Sequence, residues 1–306
     1  MRISHSSLIS LCLVLPAFGF AQMSLEAIEA DSLQLEMEAL FQAQMDSLEG
    51  TLTFYEDTSL IIGGDMAMLH IPDGYMYIGP SDSRTVLEDM WGNPPNSIPS
   101  LGMLFPENFG PASEFGYGID IFFEQEGYIR DDDATDIDYD DLLRSMQEDT
   151  EASNEYRIQA GYEPIHLVGW ASPPYYDSQS KRLHWAKELE FEGYEENTLN
   201  YNVLFLGRKG FLTMNVIGSI QDVDLISKDL PQILESVEYL EGHRYSDFNP
   251  DIDDVAAYGI TALIAGKVLA KTGLLATIGL FLAKAWKILL IGAIALGAGA
   301  KKLMGK

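Results

Sequence analysis

The chain of 306 residues has a single cysteine, Cys12, and only 19 lysines and arginines against 47 aspartates and glutamates. Cys12 lies inside an apolar N-terminal run. With that run removed no thiol remains, which excludes disulfides, cysteine nucleophiles and thiolate-held metals. The residues before it, SLISL, lack the small side chains of a lipid-attachment signal. The shortage of base excludes nucleic acid as a partner, because affinity for it comes from neutralised phosphates. Histidine is scarce too. Beyond His5 there are His70, His166, His184 and His243, with no H-E-x-x-H pair to support zinc. No serine stands in a G-x-S-x-G context. Gly207 and Gly210 open no helix, so they read as turn glycines and not as a phosphate loop.

What is present is concentrated at the ends. MRISHSSLISLCLVLPAFGFA has a basic start, a short apolar stretch broken by Pro16, and small residues at Gly19 and Ala21. Residues 1–21 therefore read as a signal peptide, too short to cross a bilayer core of ~30 Å. Residues 255–306 contain seven lysines and no acid, so all of the negative charge lies between the two ends. Up to position 283 the tail is apolar except for Lys267 and Lys271. Lys284, Trp286 and Lys287 follow as an interfacial cluster, and 288–300 are again apolar. The pattern predicts a C-terminal membrane anchor, 255–306, built as one transmembrane helix or a helical hairpin, with membrane contact over 255–300.

Between the ends the pattern changes twice. Residues 22–50 read as an acidic helix, with Leu25, Ile28, Leu33, Leu40, Phe41, Met45 and Leu48 as its apolar positions. From 51 to 241 short alternating runs are divided by Gly63-Gly64-Asp65, Pro72-Asp73-Gly74 and Gly207-Arg208-Lys209-Gly210, which are hairpin signals. Helices are expected at 82–91 with Ser81 as cap, at about 138–159 capped by Asp138, and at 221–236 disturbed by Pro231. Later strands are expected near 163–171, 182–192, 198–206 and 210–218. This order makes an α+β domain of antiparallel sheets with flanking helices. It loosely resembles the Mog1/PsbP-like sandwich in element order alone. Residues 242–254 read as a linker.

Several strings occur together: WGNPP (91–95), GYIRDDDA (127–134), YDDLL (139–143), LHWAKEL (183–189), LNYNV (199–203), LGRKG (206–210), RYSDF (244–248) and AAYGITALIAGK (256–267). In this order, over roughly residues 50–270, they resemble a bacterial family of membrane-anchored proteins, domain of unknown function 2167. The resemblance implies an exported domain held by a C-terminal anchor, and no activity. After LNYNV this chain has Leu204-Phe205, where the resemblance leads one to expect an arginine.

Three constellations can carry chemistry. Asp136, Asp138 and Asp140 have the D-x-D-x-D spacing of hard oxygen ligands, so calcium is the one cofactor with any support. The sixth and twelfth positions are Asp141 and Gln147 rather than Gly and Glu, so an EF-hand does not fit, and a helix-capping run explains the aspartates as well. Asp177, His184 and Glu188 supply an acid–base set, with His184 and Glu188 on one face if their segment is a strand. Trp170, Trp185, Tyr201 and Arg208 are candidates for an aromatic or anion-binding surface, against core packing and turn roles.

The expected protein is a membrane-anchored extracytoplasmic binding or assembly module at the bacterial cell membrane, its main domain on the periplasmic side. A membrane protein or a second copy of the chain is the expected partner. An envelope hydrolase using the Asp/His/Glu set, and a carrier of lipid or another small ligand in an aromatic pocket, are the alternatives.

Overall fold

The computed structural model describes residues 35–265, except 94, 96, 97, 114, 135, 136, 160 and 195. The expected signal peptide and the chain from 266 onward lie outside the described residues. The chain divides into two units, 1–47 and 48–306. The described part of the first is residues 35–47 of helix α1 (35–49), in which Phe41 and Met45, one turn apart, are buried while Leu35 and Leu40 are exposed. The earlier part of that expected helix is not among the described residues.

The second unit begins with β1 (Phe54–Tyr55), β2 (Ser59–Ile62), β3 (Ala67–His70) and β4 (Tyr75–Ile78). Helix α2 (Pro80–Arg84) then runs into a π-helical turn, Thr85–Met90. Next come β5 (Ser100–Pro106), β6 (Tyr117–Glu124), β7 (Tyr128–Arg130) and α3 (Tyr139–Gln159). A run of long hairpins follows: β8 (Ile165–Asp177), β9 (Arg182–Phe191), β10 (Thr198–Gly207) and β11 (Gly210–Ser219). Helix α4 (Val223–Glu235), β12 (Val237–Tyr239), β13 (Val255–Gly259) and α5 (Ile260–Ile264) complete the described chain. No described helix is long and apolar enough to cross a membrane.

Eight strands form one antiparallel sheet in the order β1-β4-β5-β6-β11-β10-β9-β8. Alternation along the strands gives it two faces. One face carries Ile119, Met214, Val203 and Tyr201, and it packs with Ile226 and Ile233 of α4 and with Leu69 of the smaller β12-β3-β2 sheet. On the other face the edge of Trp91 meets Phe105, and Trp91 lies over Gly118. Helix α3 is pinned to β8: Asn154 donates to Ile165 O and accepts from Ile165 N, both at 2.9 Å.

Four local expectations change. Helix α2 starts two residues early, with Gly79 as the cap and Pro80 at the first helical position, where a missing N–H costs nothing; Ser81 is inside it. Strand β8 runs on through Pro173 and Pro174 to Asp177. It can do so because it is a sheet edge, and its register shifts around those prolines. Helix α4 continues through Pro231, which faces solvent while Ile226 and Ile233 are buried. Residues 242–264, assigned in sequence to a linker and the start of an anchor, are structured: β13 lies parallel to β7, and Ile260, Leu263 and Ile264 are buried.

Candidate functional site

The β8–β9 turn, residues 178–181, is set by Asp177. Its carboxylate accepts from Gln179 N at 2.9 Å and from Ser180 Oγ at 2.6 Å. Lys181 closes the turn with φ +56°, a left-handed conformation that few non-glycine residues adopt, and its carbonyl accepts from Leu206 N. This geometry aims Lys181 and Arg182 into a cleft of about 660 Å³. Phe205, Val237 and Tyr239 form one apolar wall, and Tyr128, Tyr245 and Phe248 another. Tyr128 is stacked on Phe248 with ring centres 3.9 Å apart, and it lies 4.4 Å from Tyr245.

The cleft reverses the charge of the protein. Lys181, Arg182 and Arg244 line it against one acid, Glu238. Lys181 donates to Asp131 at 2.7 Å and lies 5.0 Å from the ring centre of Tyr245. Tyr176 and Tyr245 also donate to Asp131, at 2.6 and 3.1 Å. Burial works against the Asp131 charge, but the bonds from Lys181 and Tyr176 outweigh it and hold this carboxyl below its usual range. Arg182 is different. It lies over Phe205 at 5.0 Å and has no ion pair among the described residues, while its cross-strand neighbour Asp177 accepts its hydrogen bonds within the turn. Burial lowers the Arg182 pKa, with Asp177 and Glu235 opposing.

The cleft is joined to the C-terminal segment. Arg208 Nε donates to Asp253 at 2.7 Å, and that carboxylate is 2% exposed. Asp253 also accepts from Asn249 N, and Arg208 N donates to His243 O. At the segment's end Asp133 accepts from Ile260 N at 2.9 Å and Thr261 N at 3.1 Å, which caps α5. Gly259 leaves room for this, since a Cβ there would lie 2.4 Å from the Asp133 carboxylate. Arg208, expected as an anion site, is thus part of a clasp.

The other sequence candidates are dispersed. Asp177 is in the turn. His184 Nδ1 is 2.8 Å from Tyr201 OH, and Glu188 accepts from Asn197 at 2.7 Å. Asp177 and His184 share a face, and burial lowers the imidazole pKa with Asp177 opposing. Glu188 stands four residues further along β9, ~13 Å at strand spacing. No hydrogen bond joins any two of the three. Tyr201 is a core residue, its phenol pushed up to about 12 by burial. Trp170 donates to Tyr139 O at 3.3 Å and fixes the start of α3. Trp185 is buried, with no partner for Nε1 among the described residues. Trp170, Trp185, Tyr201 and Arg208 do not line the cleft. Asp138 caps α3 by accepting from Asp140 N and Asp141 N; Asp140 is exposed, and Asp136 lies outside the described residues. Among the described residues no group of three His, Cys, Asp or Glu converges as a metal site.

Two features escape sequence reasoning. One is the cleft, whose aromatic wall joins Tyr128 of β7 to Tyr245 and Phe248 of the supposed linker. The other is a polar row on the far face of the large sheet. There Asp120, Asn215 and Asn202 are aligned in register, Asn200 donates to Asn215, and Ser100 Oγ donates to Asp120 at 2.6 Å. Burial raises the Asp120 carboxyl to about 6 and lowers the amine of Lys187, opposite Asn200, to about 8. The visible signal was three asparagines in otherwise apolar strands.

A family model described as "Protein of unknown function (DUF2167)" matches residues 54–295. No curated protein matches the chain. Among solved structures, the chain is similar to the solution structure of cyanobacterial PsbP (CyanoP) from Synechocystis. That match has 9% identity and a TM-score of 0.34, over 62% of this chain and 92% of that one.

Proposed function

The chain belongs to the DUF2167 family of proteins of unknown function, and from that premise we propose a membrane-anchored extracytoplasmic binding module that holds its ligand in the Lys181–Arg182–Arg244 cleft. The observation that carries this reading is the cleft itself. Its volume falls within the ~300–1,000 Å³ of small-ligand sites. It joins an apolar wall to a few convergent cations in a protein whose formal charge is −28. The hydrolase alternative has less support, because Asp177, His184 and Glu188 are each hydrogen-bonded to other groups. The anchor reading rests on the acid-free tail. With 255–264 folded on the body, the membrane segment of this proposal begins beyond Ala265.

Ser246 lines the cleft and is exposed, so a photoreactive residue placed there samples the occupant without disturbing the core. In cells making the full chain, illumination is expected to capture one reproducible small molecule or partner at Ser246 and none at the exposed Asp65. Equal, heterogeneous capture at both positions would end the reading.

A further inference from the structure

We propose that the cleft takes an anionic amphiphile, a ligand with one phosphate or carboxylate head on an apolar body, whose head is seated on Arg182. The proposal rests on the cleft being the ligand site and adds the chemistry of the ligand. Three observations carry it.

The first is the state of Arg182. Arg182 is a half-buried guanidinium with no ion pair or hydrogen bond to a carboxylate among the described residues, and Asp177 and Glu235 act on its charge only at longer range. Every other cation of the cleft has work within the fold: Lys181 is bound to Asp131, and Arg244 Nε donates to Tyr239 O at 3.3 Å. Arg182 keeps its donor fork free, and that fork matches the two oxygens of a carboxylate or phosphate.

The second is the surrounding surface. Phe205, beneath Arg182, continues into Val237 and Tyr239. The Tyr245–Tyr128–Phe248 stack makes the other wall. Phe205 and Val237 are already buried, but a simple inorganic anion would leave the half-buried rings of Tyr128, Tyr239, Tyr245 and Phe248 in contact with water. An amphiphile covers these rings and gains from the burial.

The third is the position of Glu238, the one acid in the lining. It is 3.7 Å from His70 and largely exposed, and the acids that act on Arg182 are instead Asp177 and Glu235, neither of which forms an ion pair with it.

The test uses the full chain in phosphatidylcholine nanodiscs, titrated calorimetrically with octyl phosphate, octanoate, inorganic phosphate and octyl glucoside. Octyl phosphate or octanoate is expected to bind one to one, with inorganic phosphate and octyl glucoside at least about tenfold weaker. Arg182→Gln should weaken the anionic amphiphile about tenfold or more, the usual size of a lost charged hydrogen bond. Arg182→Lys should recover part of the loss, and the exposed Arg84→Gln should change nothing. Unchanged melting temperatures separate these effects from misfolding. If Arg182→Gln does not fold, Arg244→Gln, at the exposed rim, is expected to weaken binding severalfold. Discs containing phosphatidylglycerol identify the source. Competition with octyl phosphate assigns the head to bilayer lipid, and no competition assigns it to a free ligand. Equal binding of octyl glucoside, or an equal effect of Arg84→Gln, overturns the proposal. Capture of a neutral ligand at Ser246 would overturn the anionic head and leave the cleft reading intact. Binding of octyl phosphate that is insensitive to both cleft variants would overturn the cleft reading itself.

Discussion

Asp120 is a carboxyl 2% exposed on the far face of the sheet, holding a single side-chain bond, from Ser100. Burial raises it to about 6, against ~3.9 in an unfolded chain. Between these values the folded state binds the extra proton. Stability from this group is therefore greatest below about pH 4 and is lost as pH rises to about 6, at ~1.4 kcal/mol per unit. Asp120→Asn keeps an acceptor for Ser100 and removes the charge. Denaturation at a series of pH values should show the variant gaining on the parent by roughly 2–3 kcal/mol from pH 4 to pH 7. Parallel curves would contradict this. Asp138 shows a second kind of residue effect. As the cap of α3 it accepts two backbone N–H groups, so Asp138→Ala should cost about 1 kcal/mol, equally with calcium and with chelator. A calcium-dependent loss would restore the metal reading of the aspartate run. Capping by Asp138 could be read in sequence, because it depends on neighbours two and three residues away. The isolation of Arg182 could not, because it depends on which acids other elements place nearby.

At the scale of elements, the hairpins were legible. Gly207-Arg208-Lys209-Gly210 joins β10 to β11 as its spacing indicates, and Gly210 has φ +149° where a Cβ would strike Glu124 O. The reach of β8 past two prolines was not legible, since edge position is set by the whole sheet. Nor was the docking of 242–264. Its sequence is polar and turn-rich, and its order comes from contacts with distant β7, Arg208 and Asp133. Arg208→Ala leaves the Asp253 carboxylate without its cation. Amide exchange over 242–259 should then quicken about tenfold or more, while β9 to β11 keep their protection. Uniform quickening, or none, would contradict the clasp. The hydrogen bond from Arg208 holds Asp253 below its ordinary range. The clasp is accordingly complete above ~pH 4, the unfolded carboxyl value, and lost as pH falls further through the folded one.

For the whole molecule, the charge division, the α+β class and the antiparallel sheets followed from composition and periodicity. The site did not. The sequence candidates Asp177, His184 and Glu188 are chemically versatile residue types, whereas the cleft is assembled from a turn, residues of the four strands β7, β9, β10 and β12, and the C-terminal segment. That segment also leads to the acid-free tail, so the proposed ligand site and the proposed anchor are neighbours along the chain. Occupancy of this cleft is tested by native mass spectrometry of the full chain, extracted from the membranes of the cells that make it, beside Arg182→Gln. A discrete bound mass is expected on the parent and is lost or strongly depleted in the folded variant. A parent without bound mass, or a mass retained undiminished by Arg182→Gln, would contradict this expectation.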